Sequence, residues 1–187
     1  LLAFSAHVCP EASYGYGPHA CVGVASSTYD RLSNTDFRKK MFKAPAGHEL
    51  SGQEAYLDAA FAKHFPAYTA IKFRPNEGNV EEYTIGSATA FPLMRVEEMY
   101  LIEAEAIGMS QSEAAGIAKL EEFMKTYRDP EYSYAKAAST FNEGFVKSFQ
   151  EEVLFQKRVE FWAEGVGFFD AKRIRPGMKT WYPGSNV

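Results

Sequence analysis

The sequence lacks the features that would place it across a membrane or on a nucleic acid. No segment holds the roughly 18 consecutive apolar residues that a membrane-spanning helix requires. Basic residues are not in excess, since 20 Lys and Arg stand against 24 Asp and Glu, a net charge of −4. The densest basic run, Lys172-Arg173-Ile174-Arg175, is too short to neutralise a phosphate backbone. We therefore expect neither a membrane-spanning chain nor a nucleic-acid-binding protein.

Cysteine and histidine are scarce, and their spacing matches no metal-binding or catalytic motif. The two cysteines, Cys9 and Cys21, fit no closed zinc pattern such as paired C-x2-C. The sequence leaves two states equally open, a disulfide between these cysteines or two free thiols, because the redox state depends on the compartment. The four histidines stand singly, without an Asp or Ser partner at a motif spacing. The sequence thus predicts no metal, no cofactor and no catalytic residues.

Aromatic and apolar residues are abundant instead. The 187 residues are 46% hydrophobic and 15% aromatic, with 15 Phe, 11 Tyr and 2 Trp. This composition is sufficient to bury one hydrophobic core, so we expect a single domain over residues 1–187. The tyrosines either fill that core or form a surface that binds flat ligands such as sugar rings. The sequence starts inside an apolar run without an initiator Met, which indicates a fragment of a longer protein.

The two halves of the chain differ in texture. Residues 1–90 are rich in Gly, Ser, Pro and Tyr, which is typical of loops that join short elements. Residues 91–187 have helical periodicity over most of their length. The patterns in the first half predict two helices and two strands: helices over 26–33 and 51–65, and strands over 68–74 and 82–85.

Three long helices are predicted in the second half. Two apolar stripes run along 93–109, which indicates a helix sandwiched between neighbours. Ser110 and Glu113 form a capping-box pattern for a second helix over 111–128. The short link makes these two helices an antiparallel hairpin similar to a tetratricopeptide unit, without a second copy at a 34-residue period. A third helix, over 143–163, should pack against the hairpin. Its core-facing residues would be Phe145, Phe149, Val153, Val159 and Trp162.

Two blocks of sequence carry recognisable motifs. The first, residues 91–106, reads FPLMRVEEMYLIEAEA, and the second, residues 156–173, reads QKRVEFWAEGVGFFDAKR. In this order and spacing they resemble the PLMRxAExYLIxAEA and RRxELxxEGxRxFDxKR signatures of the SusD/RagB family, the outer-membrane nutrient-binding proteins of Bacteroidetes. Residues 36–40 (DFRKK) resemble the family's DxRKK segment. The resemblance covers about residues 26–187.

The resemblance implies both a fold and a function. The implied fold is part of a SusD-like α superhelix: mainly α, with tetratricopeptide-like helical hairpins, a loop-rich region and a few short strands. The implied protein is a surface-exposed lipoprotein of the outer membrane that binds glycans or other nutrients, caps a SusC-like TonB-dependent transporter and performs no catalysis. The signal and lipobox of such proteins are not in this sequence, so we expect the lipid anchor to lie upstream.

Both signature blocks place charged residues among apolar ones. They are Arg95, Glu98, Arg158, Glu160, Glu164, Asp170 and Arg173, with Gly165 among them. One interpretation makes Glu160 and Glu164 a glycosidase acid and base. However, residues at i and i+4 share a helix face, with Cβ atoms ~6 Å apart, whereas that chemistry needs carboxylates on two sides of a substrate. We favour a structural interpretation, in which the charges pair between helices and Arg95 lies within reach of Glu160 or Glu164.

The aromatic loop between the two cysteines is the main candidate for a ligand site. There Tyr14 and Tyr16 alternate with glycines, which leaves their rings free to stack on a sugar. Weaker candidates are Tyr132, Tyr134 and Trp181. The alternative is that these rings pack on the body of the protein. Rings that bind a ligand should be at least partly exposed and near another aromatic.

Two functions follow from these observations. The favoured one is non-catalytic binding of glycan nutrients for a TonB-dependent transporter. The alternative is a helical-repeat scaffold that binds a protein partner, such as the transporter, and has no glycan site in this part. Exposed aromatic rings clustered on one face would favour the first function.

Overall fold

A computed structural model of the chain describes residues 8–14, 21–56, 63–90, 92–139 and 149–174. These residues fall into two compact units, and the boundary lies between Phe91 and Pro92. The boundary coincides with the change in texture that the sequence shows near residue 90. The described chain is mainly helical, which confirms the predicted fold class. None of its helices combines the length and the apolar character needed to cross a membrane.

Short helices and turns build the first unit. Over its described residues the unit contains the α-helices α1 (Ser26–Arg31) and α2 (Tyr83–Gly86). The same residues form 3-10 turns at Phe37–Met41, Gln53–Ala55 and Asn76–Gly78. The helix predicted over 26–33 is therefore confirmed as α1.

The helix predicted over 51–65 does not begin as an α-helix. Gly52 adopts the left-handed conformation (φ 81°), and only the 3-10 turn Gln53–Ala55 follows it. A left-handed residue interrupts the run of helical backbone angles that an α-helix needs for its first turn. Residues 57–62 lie outside the described ranges.

The strand predicted over 68–74 is wrong. Tyr68 opens this segment in the left-handed conformation (φ 69°), which is incompatible with extended pairing. Among the described residues only two isolated antiparallel bridges form here: Gly23 with Thr69, and Phe42 with Ala70.

The strand predicted over 82–85 is also wrong, because this segment is helical. The Glu82 side chain accepts a hydrogen bond from the Thr84 amide at 3.1 Å and caps the start of α2. Side-chain capping satisfies an amide that has no partner within the helix. This local bond therefore outweighs the β-propensity of Tyr83, Thr84 and Ile85.

A buried ion pair organises the turn Phe37–Met41. Asp36 Oδ1 accepts hydrogen bonds from the Arg38 amide at 2.9 Å and from its Nε at 3.0 Å. Arg38 Nη2 lies 2.7 Å from Asp36 Oδ2, and Arg38 is fully buried. Because a buried guanidinium persists only when it is paired, the DxRKK-like segment is a structural motif.

The second unit contains the predicted helical hairpin, formed by α3 (Val96–Ser110) and α4 (Glu113–Tyr127). The Tyr100 ring, near the start of α3, stacks on Phe123, near the end of α4, with centroids 5.5 Å apart. Contacts between the start of one helix and the end of the next make the hairpin antiparallel, as predicted. The residue that caps α4 is Ser112 rather than Ser110.

Three further helices complete the described part of this unit: α5 (Tyr134–Ser139), α6 (Phe149–Glu160) and α7 (Val166–Ile174). α6 packs on α3 and α4, as predicted for the third helix, and α7 packs on α6. Residues 140–148 lie outside the described ranges. α6 ends before the predicted residue 163, because Ala163 (φ 60°) and Gly165 (φ 84°) adopt left-handed conformations.

The core of this unit joins the hairpin to α6. It consists of Leu101, Ala104, Leu120, Phe123, Met124, Tyr132, Phe149, Val153 and Phe161. One packing prediction is wrong: Trp162 is only half-buried, and its neighbour Phe161 fills the core instead. α3 contacts both α4 and α6, as predicted for a helix between neighbours, although Met94 and Val96 of the predicted stripes are exposed.

Candidate functional site

Tyr14 and Tyr83 form an aromatic pair in the first unit. Their ring centroids lie 6.0 Å apart and their planes meet at 79°, an edge-to-face arrangement. Tyr14 is half-buried, and Tyr83, on α2, is 39% exposed. The Tyr14 hydroxyl donates a hydrogen bond to the Asn79 carbonyl at 3.0 Å. Tyr14 thus has the partial exposure and the second ring that a sugar-binding aromatic was expected to have.

Gly86 gives the Tyr14 side chain its place against α2. A Cβ atom on Gly86 would overlap both the Tyr14 hydroxyl and the Asn79 carbonyl. Only glycine therefore permits this approach. Burial raises the pKa of Tyr14, so its hydroxyl stays a hydrogen-bond donor at neutral pH. The ring is held by backbone contacts before any ligand arrives.

Sequence reasoning missed Tyr83, because it assigned residues 82–85 to a strand. A signal for a turn and a helix start was present in Asn79, a residue type that hydrogen-bonds its own backbone. Asn79 Oδ1 accepts hydrogen bonds from the Glu81 and Glu82 amides at 3.1 and 2.7 Å. This turn brings α2 and Tyr83 next to Tyr14.

Arg95 is paired with both Glu160 and Glu164, where the sequence predicted one or the other. Its Nε and Nη2 donate to the two carboxylate oxygens of Glu164 at 2.9 and 3.0 Å. Its Nη1 donates to Glu160 Oε1 at 3.0 Å, and its Nη2 also donates to the Glu160 carbonyl at 2.8 Å. The guanidinium lies 4.7 Å from the centre of the Phe161 ring. Arg95 thus ties the start of α3 to the end of α6.

Arg128 completes this network, and sequence reasoning missed it. Its Nε and Nη2 donate to the two Glu160 oxygens at 2.7 and 2.9 Å. Its Nη2 also donates to Glu97 Oε1 at 3.0 Å. We call Arg95, Glu97, Arg128, Glu160 and Glu164 the arginine network. Burial lowers the pKa of Arg95, but hydrogen bonds and charges from Glu164 and Glu160 outweigh it, so the pKa is raised overall.

The geometry of the arginine network favours a structural role over catalysis. Glu160 and Glu164 converge on the same guanidinium instead of flanking a space from two sides. The cavity beside them, lined in part by Arg95, Glu164 and Phe161, has a volume of only about 10 Å³. That volume is about the size that one water molecule needs. A sugar ring does not fit between these carboxylates.

A second charged cluster ties α7 to α3 and α6. Arg173 donates to both Glu105 oxygens at 2.8 and 2.9 Å and to Asp170 Oδ1 at 3.0 Å. Lys157 Nζ donates to Asp170 Oδ1 at 2.8 Å. Hydrogen bonds to Glu105 and Asp170 raise the pKa of Arg173. Asp170 and Arg173 of the signature therefore also hold helices together.

The family model described as the SusD family matches residues 14–186, almost the whole chain. The chain belongs to the SusD family. Comparison with curated proteins and comparison with solved structures gave no significant match. SusD-family proteins are helical and tetratricopeptide-like, and they bind nutrients at the cell surface.

Within the SusD-family signature, the remaining charged residues have other surroundings. Glu98 is half-buried and Arg158 is exposed, and neither belongs to the arginine network. Gly165 adopts a left-handed conformation (φ 84°) between α6 and α7. This turn sends the chain from α6 into α7, which brings Asp170 back to Lys157 at the α6 surface.

Tyr132 and Tyr134 do not form an exposed site. Tyr132 is buried in the core, where its hydroxyl donates to Glu152 Oε1 at 2.8 Å, a position that does not favour contact with a ligand. Tyr134 packs against the core, with its ring centroid 6.2 Å from that of Phe149. Tyr16 and Trp181 lie outside the described residues.

Cys9 and Cys21 are both free thiols in the structure, and Cys9 is buried. The disulfide considered from the sequence is therefore not formed in it. Burial raises the pKa of the Cys9 thiol, which makes the thiolate less accessible at neutral pH. Over the ranges that the structure describes, no three His, Cys, Asp or Glu residues group as metal ligands.

Proposed function

We propose that this SusD-family protein binds glycans at the bacterial surface and passes them, chemically unchanged, to a TonB-dependent transporter of the outer membrane. Family membership supports nutrient binding at the cell surface. The observation that supports a glycan as the nutrient is the partly exposed Tyr14–Tyr83 pair. In this proposal the protein is an outer-membrane lipoprotein.

The Tyr14–Tyr83 pair suits a sugar for two physical reasons. Aromatic rings present a flat apolar surface with a negative face, against which the C–H groups of a sugar ring pack. The hydrogen bond to Asn79 and the space at Gly86 fix the Tyr14 ring in advance. A preorganised ring loses little conformational entropy on binding, which matters for ligands whose hydroxyls lose water.

The proposed role is binding without catalysis. Glycoside hydrolysis needs two carboxyl groups on opposite sides of the scissile bond. Glu160 and Glu164 instead share the Arg95 guanidinium, next to a cavity of about 10 Å³. Their pairing supports a structural role for the signature and leaves the aromatic pair as the binding element.

The test is isothermal titration calorimetry of the protein with neutral hexasaccharides of glucose, xylose and mannose. Tyr14→Ala combined with Tyr83→Ala should weaken binding about tenfold or more, because the stacking of a nucleic-acid base on one aromatic ring is worth ~1–3 kcal/mol, which sets the scale for a sugar. The melting temperature should change little, since Tyr83 is exposed and Tyr14 half-buried. Absence of binding by the unmodified protein to all three sugars would contradict the proposed function.

Two variants serve as controls for this titration. Tyr56 is 42% exposed, close to the exposure of Tyr83, but it is not part of the Tyr14–Tyr83 pair. Tyr56→Ala should therefore leave the affinity unchanged. Tyr14→Phe keeps the ring and removes only the hydrogen bond to Asn79. It should retain most of the affinity if stacking is the main contribution.

A second candidate function, binding of a protein partner such as the transporter, is favoured by a groove on the second unit. This groove has a volume of about 520 Å³ and is lined in part by Ile102, Met109 and Phe169. All three side chains are exposed, and exposed apolar patches commonly mark protein interfaces.

Polar substitution of the groove separates the two functions. Ile102→Ser combined with Phe169→Ser should reduce co-purification of the transporter if the groove is an interface. Hexasaccharide affinity should be unchanged in the same variant, because the Tyr14–Tyr83 pair is intact. Normal co-purification by this variant would exclude the groove as the interface.

A further inference from the structure

A cavity of the first unit, the Tyr29–Tyr68 pocket, is not used by the function proposed above. Its volume is about 440 Å³, within the ~300–1,000 Å³ range of small-molecule sites. Two aromatic rings and several polar side chains line it. Its lining includes Tyr29, Asp30, Asn34, His48, Glu49 and Tyr68.

The two tyrosines of the pocket form one packed aromatic wall. Their centroids lie 5.2 Å apart with planes at 66°. Tyr29 is buried, and the Lys39 ammonium lies 4.7 Å from the centre of its ring. Tyr68 is half-buried and lines the cavity. Tyr68 is therefore the ring that a ligand in the pocket can reach.

Backbone contacts hold Tyr68 at the pocket. Its amide donates to the Lys43 carbonyl at 2.7 Å, and its carbonyl accepts from the Val24 amide at 3.1 Å. A Cβ atom on Gly23 would stand 2.6 Å from the Tyr68 oxygen, so this approach requires glycine. Tyr68 itself has φ 69°, a strained conformation for a residue other than glycine and one that is frequent at ligand sites.

The polar side chains of the pocket offer both hydrogen-bond donors and acceptors. Asn34 Oδ1 accepts from the Lys39 ammonium at 2.9 Å, which leaves the amide NH2 group of Asn34 as a donor. Glu49 Oε1 accepts from the Gly47 amide at 2.9 Å, and this hydrogen bond lowers the pKa of Glu49. The carboxylates of Glu49 and of the exposed Asp30 offer hydrogen-bond acceptors. A ligand rich in hydroxyl groups satisfies both kinds of partner.

The charges in the pocket exclude acidic ligands. The Asp30 and Glu49 carboxylates outnumber the single ammonium of Lys39, which already donates to the Leu32 carbonyl at 2.7 Å. Such a pocket repels phosphates and uronic acids. A neutral polyhydroxylated ring fits the volume, the aromatic wall and the sign of the charge together.

We propose that the Tyr29–Tyr68 pocket binds a neutral saccharide, with one sugar ring against Tyr68 and its hydroxyls hydrogen-bonded to Asp30, Asn34 and Glu49. This inference rests on the proposed function, because it assigns a second glycan subsite to the same unit. The two sites have separate residues, so separate variants test them.

The test repeats the hexasaccharide titration with variants of the pocket. Asp30→Ala combined with Asn34→Ala removes polar partners at exposed positions, and His48→Trp fills the cavity. Both should weaken binding about tenfold or more. The melting temperature should be unchanged for His48→Trp and somewhat lower for the double variant, which also loses the hydrogen bond from Lys39 to Asn34. Glu54→Ala, which removes an exposed carboxylate outside the pocket, is the matched control and should bind normally. An acidic oligogalacturonate should not bind to the pocket.

The outcomes distinguish this inference from the function on which it rests. Weaker hexasaccharide binding by both pocket variants, with normal binding by Glu54→Ala, supports the subsite. Full affinity in both pocket variants overturns it, and the proposed function then stands on Tyr14 and Tyr83. Absence of hexasaccharide binding by the unmodified protein overturns both. Tighter binding of oligogalacturonate that His48→Trp abolishes overturns the assignment to a neutral sugar.

Discussion

Gly116 of α4 lies against Gly108 of α3 where the hairpin closes. A Cβ atom on Gly116 would stand 2.5 Å from the Gly108 Cα and 2.7 Å from the Phe149 ring. A Cβ on Gly108 would overlap the same ring. The two glycines therefore let α6 approach the closed end of the hairpin, and Phe149 fills the space that side chains would take.

We expect Gly116→Ala to destabilise the protein. Overpacking against backbone atoms costs about 1–3 kcal/mol, which exceeds the ~1 kcal/mol that alanine contributes through helix propensity. Urea unfolding measures the difference. Gly167→Ala on α7 is the control, since its Cβ would meet no neighbour and should leave the stability equal or slightly higher. Equal stability of Gly116→Ala and the unmodified protein would contradict this packing.

Replacement of Arg95 should cost far more than replacement of a surface residue. Glu160 and Glu164 side chains are each only 4% exposed, and Arg95→Ala removes their shared guanidinium. The expected loss is about 2–3 kcal/mol, below that of a fully buried pair because Arg95 is 25% exposed. The loss of stability for Arg95→Lys should lie between zero and that for Arg95→Ala, since lysine keeps the charge but cannot make bidentate hydrogen bonds to a carboxylate. Chemical denaturation gives these values.

The control for Arg95 is the exposed ion pair Lys119–Glu122. Lys119→Ala should change the free energy of unfolding by no more than about 0.5 kcal/mol. A similar small change for Arg95→Ala would mean that the arginine network does not stabilise the fold.

Tyr132→Phe should lower stability without changing glycan affinity. Glu152 is fully buried and accepts hydrogen bonds from the Tyr132 hydroxyl at 2.8 Å and from Gln156 Nε2 at 2.7 Å. Loss of one donor to a buried carboxylate costs about 1–3 kcal/mol. Thermal unfolding and calorimetric titration test the two halves of this prediction, with the exposed Tyr56→Phe as control. Weaker glycan binding by Tyr132→Phe would show that Tyr132 belongs to the site after all.

Tyr29 should make the protein less stable at alkaline pH. Burial, together with the charges of Asp30 and Tyr68, raises the pKa of Tyr29 from 10.0 to about 12. Above pH 10 the unfolded chain releases this proton while the folded protein keeps it, so folding stability falls as pH rises toward 12. The loss is on the order of 2 kcal/mol. Urea midpoints at pH 8, 10 and 11.5 should therefore decline more steeply for the unmodified protein than for Tyr29→Phe.

The comparison at pH 8 tests the same side chain independently. The Tyr29 hydroxyl is buried and makes no hydrogen bond to a residue of the described ranges. Tyr29→Phe should therefore keep or increase stability at pH 8, since it removes an unsatisfied polar group. Parallel pH profiles for the two proteins, or a large loss at pH 8, would contradict the environment described here.

The sequence predicted the second unit well, because helices depend on local periodicity and capping. Local periodicity predicted the hairpin of α3 and α4 and the third helix, α6. The charged residues of the family signature predicted the pairing of Arg95 with Glu160. Predictions for the first unit were weaker. The strand expected over 68–74 is absent, and its first residue, Tyr68, is left-handed. The strand expected over 82–85 is a helix that the Glu82 side chain caps.

What the sequence determined by itself is the family, the helical class and the charged signature, since these depend on residue types at fixed spacing. Only the tertiary structure decided which rings meet. Tyr14 reaches Tyr83, and Tyr29 reaches Tyr68, across long stretches of chain that carry no shared periodicity. Such pairs depend on turns and on glycines that permit close approach, as at Gly86. The physical reason is that backbone geometry at a few residues, rather than any repeating pattern, places the aromatic rings of the first unit.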